Sequence, residues 1–168
     1  AQIHGKTQTF EKFQSSFQDM KLKFLFLILF ILPIAYADSG SIKLLAISEQ
    51  EDGNFTGSLA DLFLAISPGA GRISIESFPF SKLDTQFSTR LARDVACDYV
   101  GVDCSKYDFF YTIRADSAIV GGPSAGAAAA ILAISVLTNR PLDNTTAITG
   151  TINSGGVIGS VGGLKEKI

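Results

Sequence analysis

Residues 121–126 read Gly-Gly-Pro-Ser-Ala-Gly, and from Ala127 to Leu137 every side chain except Ser135 is small or apolar. A helix that is apolar on all sides belongs in a core, so this run predicts a central buried helix. The glycines let the chain turn sharply into it. Pro123 suits the first helical turn, where its missing N–H would be unpaired anyway. Ser124 is thereby expected at a helix N-terminus, where unpaired N–H groups and the positive dipole end favour negative charge. A hydroxyl there, with the backbone N–H groups of Gly122, Ser124 and Ala125 able to hold an oxyanion, is what acyl transfer requires. A serine N-cap on a buried helix is the plain alternative, and the rest of the chain has to choose between them.

The chain has 168 residues, 46% apolar and 18% charged, with a formal charge of −2. That composition fits one globular domain plus a non-globular segment. There is no charge excess and no basic stripe with interleaved aromatics, so nothing points to nucleic acid as a partner. Residues 24–37, FLFLILFILPIAYA, are unbroken by charge; Met20-Lys21-Leu22-Lys23 precedes them and Ala35-Tyr36-Ala37 closes them. A basic start, a short apolar run and an A-x-A end describe a secretory signal peptide, and the run is short for a bilayer span of about 20 residues. Residues 20–37 are therefore expected to be a signal peptide cleaved after Ala37, or else an N-terminal membrane anchor. Met20 reads as the initiator, and residues 1–19 as upstream sequence outside the mature protein. The protein is accordingly expected to be exported, as a secreted or membrane-anchored chain.

This reading carries chemistry. The one histidine, His4, lies in the upstream stretch, so the chain from Asp38 onward has none. A Ser-His-Asp triad and a histidine-rich metal site are both excluded there, and no metal or other cofactor is expected. That part carries ten basic against fourteen acidic residues, which leaves the partner question open. Cys97 and Cys104 stand seven positions apart, and in an exported chain such a pair reads as a disulfide closing a small loop. Asn54-Phe55-Thr56 and Asn144-Thr145-Thr146 are glycosylation sequons, which belong on surface loops.

Ile42–Ser48 reads as a short, mostly buried strand. Leu62, Leu64 and Ile66, then Ile73 and Ile75, alternate on either side of Pro68-Gly69-Ala70-Gly71, which predicts a β-hairpin. Leu83, Phe87, Leu91 and Val95 recur every four residues, which predicts an amphipathic helix over 82–99 lying across the sheet on that stripe. Asp108–Arg114 is an aromatic, β-branched strand, and Thr145–Thr151 another. Residues 153–163 are glycine-rich, and Gly162-Gly163-Leu164-Lys165-Glu166-Lys167 opens a helix at which the chain stops, so the sequence reads as truncated at its C-terminal end. Strands and helices in this order give a single α+β domain over 38–168, a mixed sheet with packed helices, of about 130 residues.

Without histidine, lysine is the familiar base for a catalytic serine. It can serve only if its pKa falls well below about 10.4, as burial in low dielectric allows. Lys43, Lys82, Lys106, Lys165 and Lys167 are available, and composition does not choose among them. At this point the sequence resembles a known family. GGPSAGAAAA, then AITGTI, then SVGGLKEKI look like the proteolytic domain of Lon-type serine proteases, in the right order and spacing, over roughly residues 41–168. Its overall look is similar to archaeal Lon-related proteases that are exported and lack a fused ATPase.

The resemblance implies a serine endopeptidase in which Ser124 attacks the peptide carbonyl, Lys167 is the general base and Thr149 holds the lysine amine. It also implies peptide or protein substrates and a homo-oligomer. GxxxxGK[ST], the phosphate loop of an ATPase, is absent, so any ATPase is expected on a separate chain. Where the family has Asp before Gly-Pro-Ser this chain has Gly121. Phe110, Thr112 and Arg114 replace a pattern that often carries histidines and proline, and Thr151 stands where Glu is common. A non-catalytic Lon-like binding or assembly module is the alternative, with a phosphate-binding small-molecule kinase behind it.

Overall fold

Five strands form one mixed sheet in the order β3-β4-β2-β1-β5. They are β1 (Asp38–Glu49), β2 (Phe55–Pro68), β3 (Ile73–Ser81), β4 (Tyr107–Val120) and β5 (Ala147–Ile148). The computed structural model describes residues 37–49 and 52–168. Of a separate N-terminal unit, Ala1–Ala35, it describes Gln18, Met20, Lys21 and Lys23, all helical. The expected signal segment from Leu22 to Tyr36, apart from Lys23, lies outside the described residues, as does His4. Among the described residues no helix is long and apolar enough to cross a membrane.

β1 and β2 pair antiparallel along their length, from Asp38 opposite Ile66 to Glu49 opposite Phe55. β4 runs antiparallel to β2 and parallel to β3, and β5 adds parallel to β1 at Lys43 and Leu44. Alternate residues point to one face, so Ile42, Leu44, Leu62, Leu64, Ile66, Phe109, Tyr111 and Ile113 make a continuous apolar layer there. Helices α1 (Leu83–Val100) and α2 (Gly126–Leu137) complete that core. The mixed sheet with packed helices is the α+β architecture expected, and Ala127–Ala130, Leu132, Ala133 and Val136 of α2 are buried. Asn54 and Asn144 are both exposed in loops.

Two expectations about the 68–71 turn and the first helix fail, each for a physical reason. β2 and β3 do not form a hairpin across Pro68–Gly71, because β4 lies between them. β3, α1 and β4 form a parallel strand–helix–strand crossover, and that unit places β4 beside β3, leaving β2 its other edge. The short 69–72 connection then bridges over the start of β4 and is held by Asp108. One Asp108 oxygen accepts from the backbone N–H groups of Ala70 and Arg72, both at 2.8 Å, and the other meets the Arg72 guanidinium at 2.9–3.0 Å.

The second failure concerns α1. Its large residues were expected inward, yet Leu83 and Phe87 are 65% and 64% exposed, and Leu91 and Val95 are half-buried. The buried side is Thr85, Ser88, Thr89, Ala92, Ala96 and Cys97. Small residues win because α1 packs against the alanine surface of α2, where large side chains would hold the helices apart. Their hydroxyls would each cost about 1–3 kcal/mol unpaired. Ser88 and Thr89 donate instead to the Thr85 carbonyl at 3.0 and 3.2 Å. A disulfide joins Cys97 near the end of α1 to Cys104 before β4, with 5.8 Å between their Cα atoms.

Hydrogen bonds from the 70–72 backbone hold the Asp108 carboxyl below the usual carboxylate range. Its stabilisation is therefore complete above the unfolded value near ~3.9 and is lost as pH falls through the lower folded value. Asp108→Asn is expected to lower the thermal midpoint at pH 7 and to flatten the acid limb of stability against pH; an unchanged acid limb would remove the clamp. Tyr111 brings into the core a hydroxyl with no hydrogen-bond partner among the described residues, and burial raises its pKa. Tyr111→Phe is expected to be neutral or stabilising by up to about 1 kcal/mol in denaturant unfolding, and a loss larger than that would mean the hydroxyl is bonded.

Candidate active site

The helix predicted to begin at Pro123 begins at Gly126; Pro123–Ala125 form a 3-10 turn leading into it. Gly122 enters that turn at φ 106°, a conformation open to glycine. Its carbonyl accepts from the Thr85 hydroxyl at 3.4 Å, which ties the loop to the first turn of α1. Ser124 is half-buried. Gly122, Ser124 and Ala125 thus sit together at the mouth of α2, and a 3-10 turn leaves its first N–H groups without partners inside the turn.

The strand expected over 145–151 is interrupted. β5 ends at Ile148, and β6 (Thr151–Ile152) pairs with β7 (Ile158–Gly159) in a separate two-stranded ribbon. Between them Gly150 bonds to the serine loop: its N–H donates to the Ser124 carbonyl at 2.8 Å, and its carbonyl accepts from Ala127 at 3.0 Å. A Cβ on Gly150 would lie 3.0 Å from that of Ala127 and 2.8 Å from Ile158 Cγ2. A larger residue would push the two backbones apart. This approach carries Thr149 to the serine.

Lys167 arrives from the other side, on the short helix α3 (Leu164–Lys167). Its seat is a bare stretch of β2, since a Cβ on Gly57 would collide with the Glu166 carbonyl oxygen. Lys167 Nζ lies 3.2 Å from Ser124 Oγ and 3.2 Å from Thr149 Oγ1. The structure therefore brings Ser124, Lys167 and Thr149 into one hydrogen-bonded group. Burial lowers the Lys167 pKa from the ordinary lysine value, and among the described residues no carboxylate pairs with it to oppose that shift. The amine donates to both hydroxyl oxygens, and when uncharged it also has a lone pair free for one of them.

Of the other lysines, Lys82 lies with its stem over Gly121, exposed and outside the Ser124–Lys167–Thr149 hydrogen bonds; the rest lie elsewhere. Lys43 pairs with Asp61 at 2.5 Å and Lys106 with Asp103 at 3.7 Å, while Lys165 is exposed beside Lys167. Gly57, Gly150 and Thr85 position the site without having been singled out. Only Gly150, inside the Thr-Gly pair, carried a local signal. Phe110 and Arg114 lie on the sheet face away from α1 and α2, where Arg114 pairs with Glu76 at 2.9 Å. Thr151 turns to the ribbon, donating to the Ser160 carbonyl at 3.4 Å. Among the described residues no cluster of His, Cys, Asp or Glu could hold a metal ion.

Comparison with known proteins points to one family. The chain is 31% identical to a Lon protease of Paraburkholderia phytofirmans over 117 residues, 67% of this chain and 14% of that protein. It is 34% identical to a Lon protease of Methylocella silvestris over 107 residues, 61% of this chain and 13% of that protein. A Lon protease of Phenylobacterium zucineum gives 41% over 107 residues, again 61% and 13%. The chain thus spans about one seventh of the length of these relatives. Residues 104–168, which carry Ser124, Thr149 and Lys167, match the Lon protease (S16) C-terminal proteolytic domain, and this part of the chain belongs to that family.

Proposed function

We propose that the chain is a serine endopeptidase working through a Ser124–Lys167 dyad. The observation that carries this is the half-buried Lys167 amine within 3.2 Å of both Ser124 Oγ and Thr149 Oγ1. Neutral Lys167 takes the Ser124 proton as Oγ attacks the peptide carbonyl. Thr149 accepts an amine hydrogen and so points the lone pair at the serine. The oxyanion is held by backbone N–H groups of Gly122, Ser124 and Ala125, at the positive end of α2. The Lys167 ammonium then returns its proton to the leaving amine, and the neutral amine activates water to release the acyl-enzyme. No imidazole is needed.

The Cys97–Cys104 disulfide supports work in an oxidising compartment, in line with a proposed export signal over 20–37 that is either cleaved or kept as an anchor. We place assembly into a homo-oligomer, and any ATPase on a separate chain, in the same proposal, on the strength of the family alone.

Ser124→Ala is expected to lower casein or peptide cleavage at least about 10³-fold, and Lys167→Met about 10²–10⁴-fold, both with the fold retained by circular dichroism. Either variant keeping near-normal turnover would remove the dyad. A fluorophosphonate probe should label Ser124 in the unaltered chain. Because the amine acts only when neutral and its pKa is lowered, kcat/KM should rise with pH to a plateau, with its inflection below 10.5; an inflection at or above that value would contradict a buried base. Gly57→Val should displace α3 and cost about 10²-fold in kcat/KM while Asp108 and the disulfide still hold the core.

A further inference from the structure

Gly121, just before the serine loop, has no side chain, and the space beside it is taken by a cationic residue. The parallel ladder pairs Phe80 with Ile119 and Ser81 with Val120, so the next step of the register sets Lys82 opposite Gly121. The side chain follows the backbone: a Cβ on Gly121 would fall 2.9 and 3.0 Å from Lys82 Cγ and Cε, and closer still to Cδ. The aliphatic stem of Lys82 thus lies over Gly121, with the ammonium one bond further on. The residue is exposed and forms no ion pair among the described residues. Asp84, the nearest acidic residue in the chain, turns its carboxylate to its own helix end, accepting from the Thr85 N–H at 2.8 Å.

Ser124 is close by. A Cβ on Gly122, the next residue, would lie 3.8 Å from Ser124 Oγ. An extended substrate advances about 3.3 Å per residue, so the step from Ser124 back to Gly121 is of the order of one or two substrate residues. We propose that Lys82 is a specificity-determining residue, drawing an Asp or Glu side chain within two residues of the scissile bond to the mouth of the Ser124 site. The inference rests on the peptidase reading and deepens it. Gly121 is what permits it, since any side chain there would displace the lysine stem, and an aspartate would neutralise its charge.

The test uses the full chain and end-blocked, fluorescence-quenched peptides carrying Glu, Gln or Lys in turn at each of three positions on either side of the cleavage site. At low salt, kcat/KM should favour Glu over Gln about tenfold at one of the two positions nearest the bond on one side, and the ratio should shrink in 0.5 M salt. Lys82→Met, which keeps the stem on Gly121, should bring the ratio near one; Lys82→Arg should retain it, and Lys82→Glu should favour the Lys peptide. Fluorophosphonate labelling of Ser124 should be equal in all four proteins. A Glu-to-Gln ratio that is near one in the unaltered chain, or unchanged in Lys82→Met, overturns the inference alone while labelling persists. Loss of both labelling and cleavage in the unaltered chain overturns the peptidase reading and this inference with it.

Discussion

Two backbone hydrogen bonds at Gly150 hold the site together. Its N–H is bound to the Ser124 carbonyl and its carbonyl to Ala127, so the strand break and the mouth of α2 are one unit. Neither group of the buried Gly150 could be left unpaired without costing about 1–3 kcal/mol. The pairing is what ends β5 at Ile148, starts the separate ribbon at Thr151 and sets Thr149 beside the serine. Everything the amine of Lys167 meets depends on it.

The helices behind that unit are organised for close approach. Alanines on α2 face threonines, serines and alanines on α1, and the hydroxyls are satisfied within α1 itself. Thr85 serves twice, since its hydroxyl also reaches the Gly122 carbonyl. The core therefore holds the serine loop through α1. Lys167 packs over Gly57 and the Lys82 stem crosses Gly121, one lysine partly drawn out of water and the other left in it.

Much of this was legible beforehand. Ser124 could be read because a Gly-Pro-Ser turn feeding an apolar helix is a local pattern with a local cause. Lys167 and Thr149 were legible only through motif order, for spacing alone does not choose one lysine from five. The α1 stripe misled because periodicity marks which residues are large, whereas burial was settled by how near α2 comes. The Pro68–Gly71 turn misled in a similar way: a turn signal tells where the chain bends, not which strand fills the gap. Gly57 gave no sign at all, as a glycine in a strand shows its purpose only when another backbone lies upon it.

What the amino-acid sequence determined by itself was the inventory of chemistry: a hydroxyl at a helix mouth, no imidazole from Asp38 onward, a cysteine pair and an α+β alternation of elements. These follow from residue types and short-range preferences, which act over a few positions of chain. Only the tertiary structure decided that β4 would separate β2 from β3, that the small face of α1 would be the buried one, and that Gly57 and Gly150 would be the places where distant backbones meet to form the site. Those outcomes turn on which backbones can approach within van der Waals contact across tens of residues, and that is a property of the packed molecule, not of any stretch of its chain.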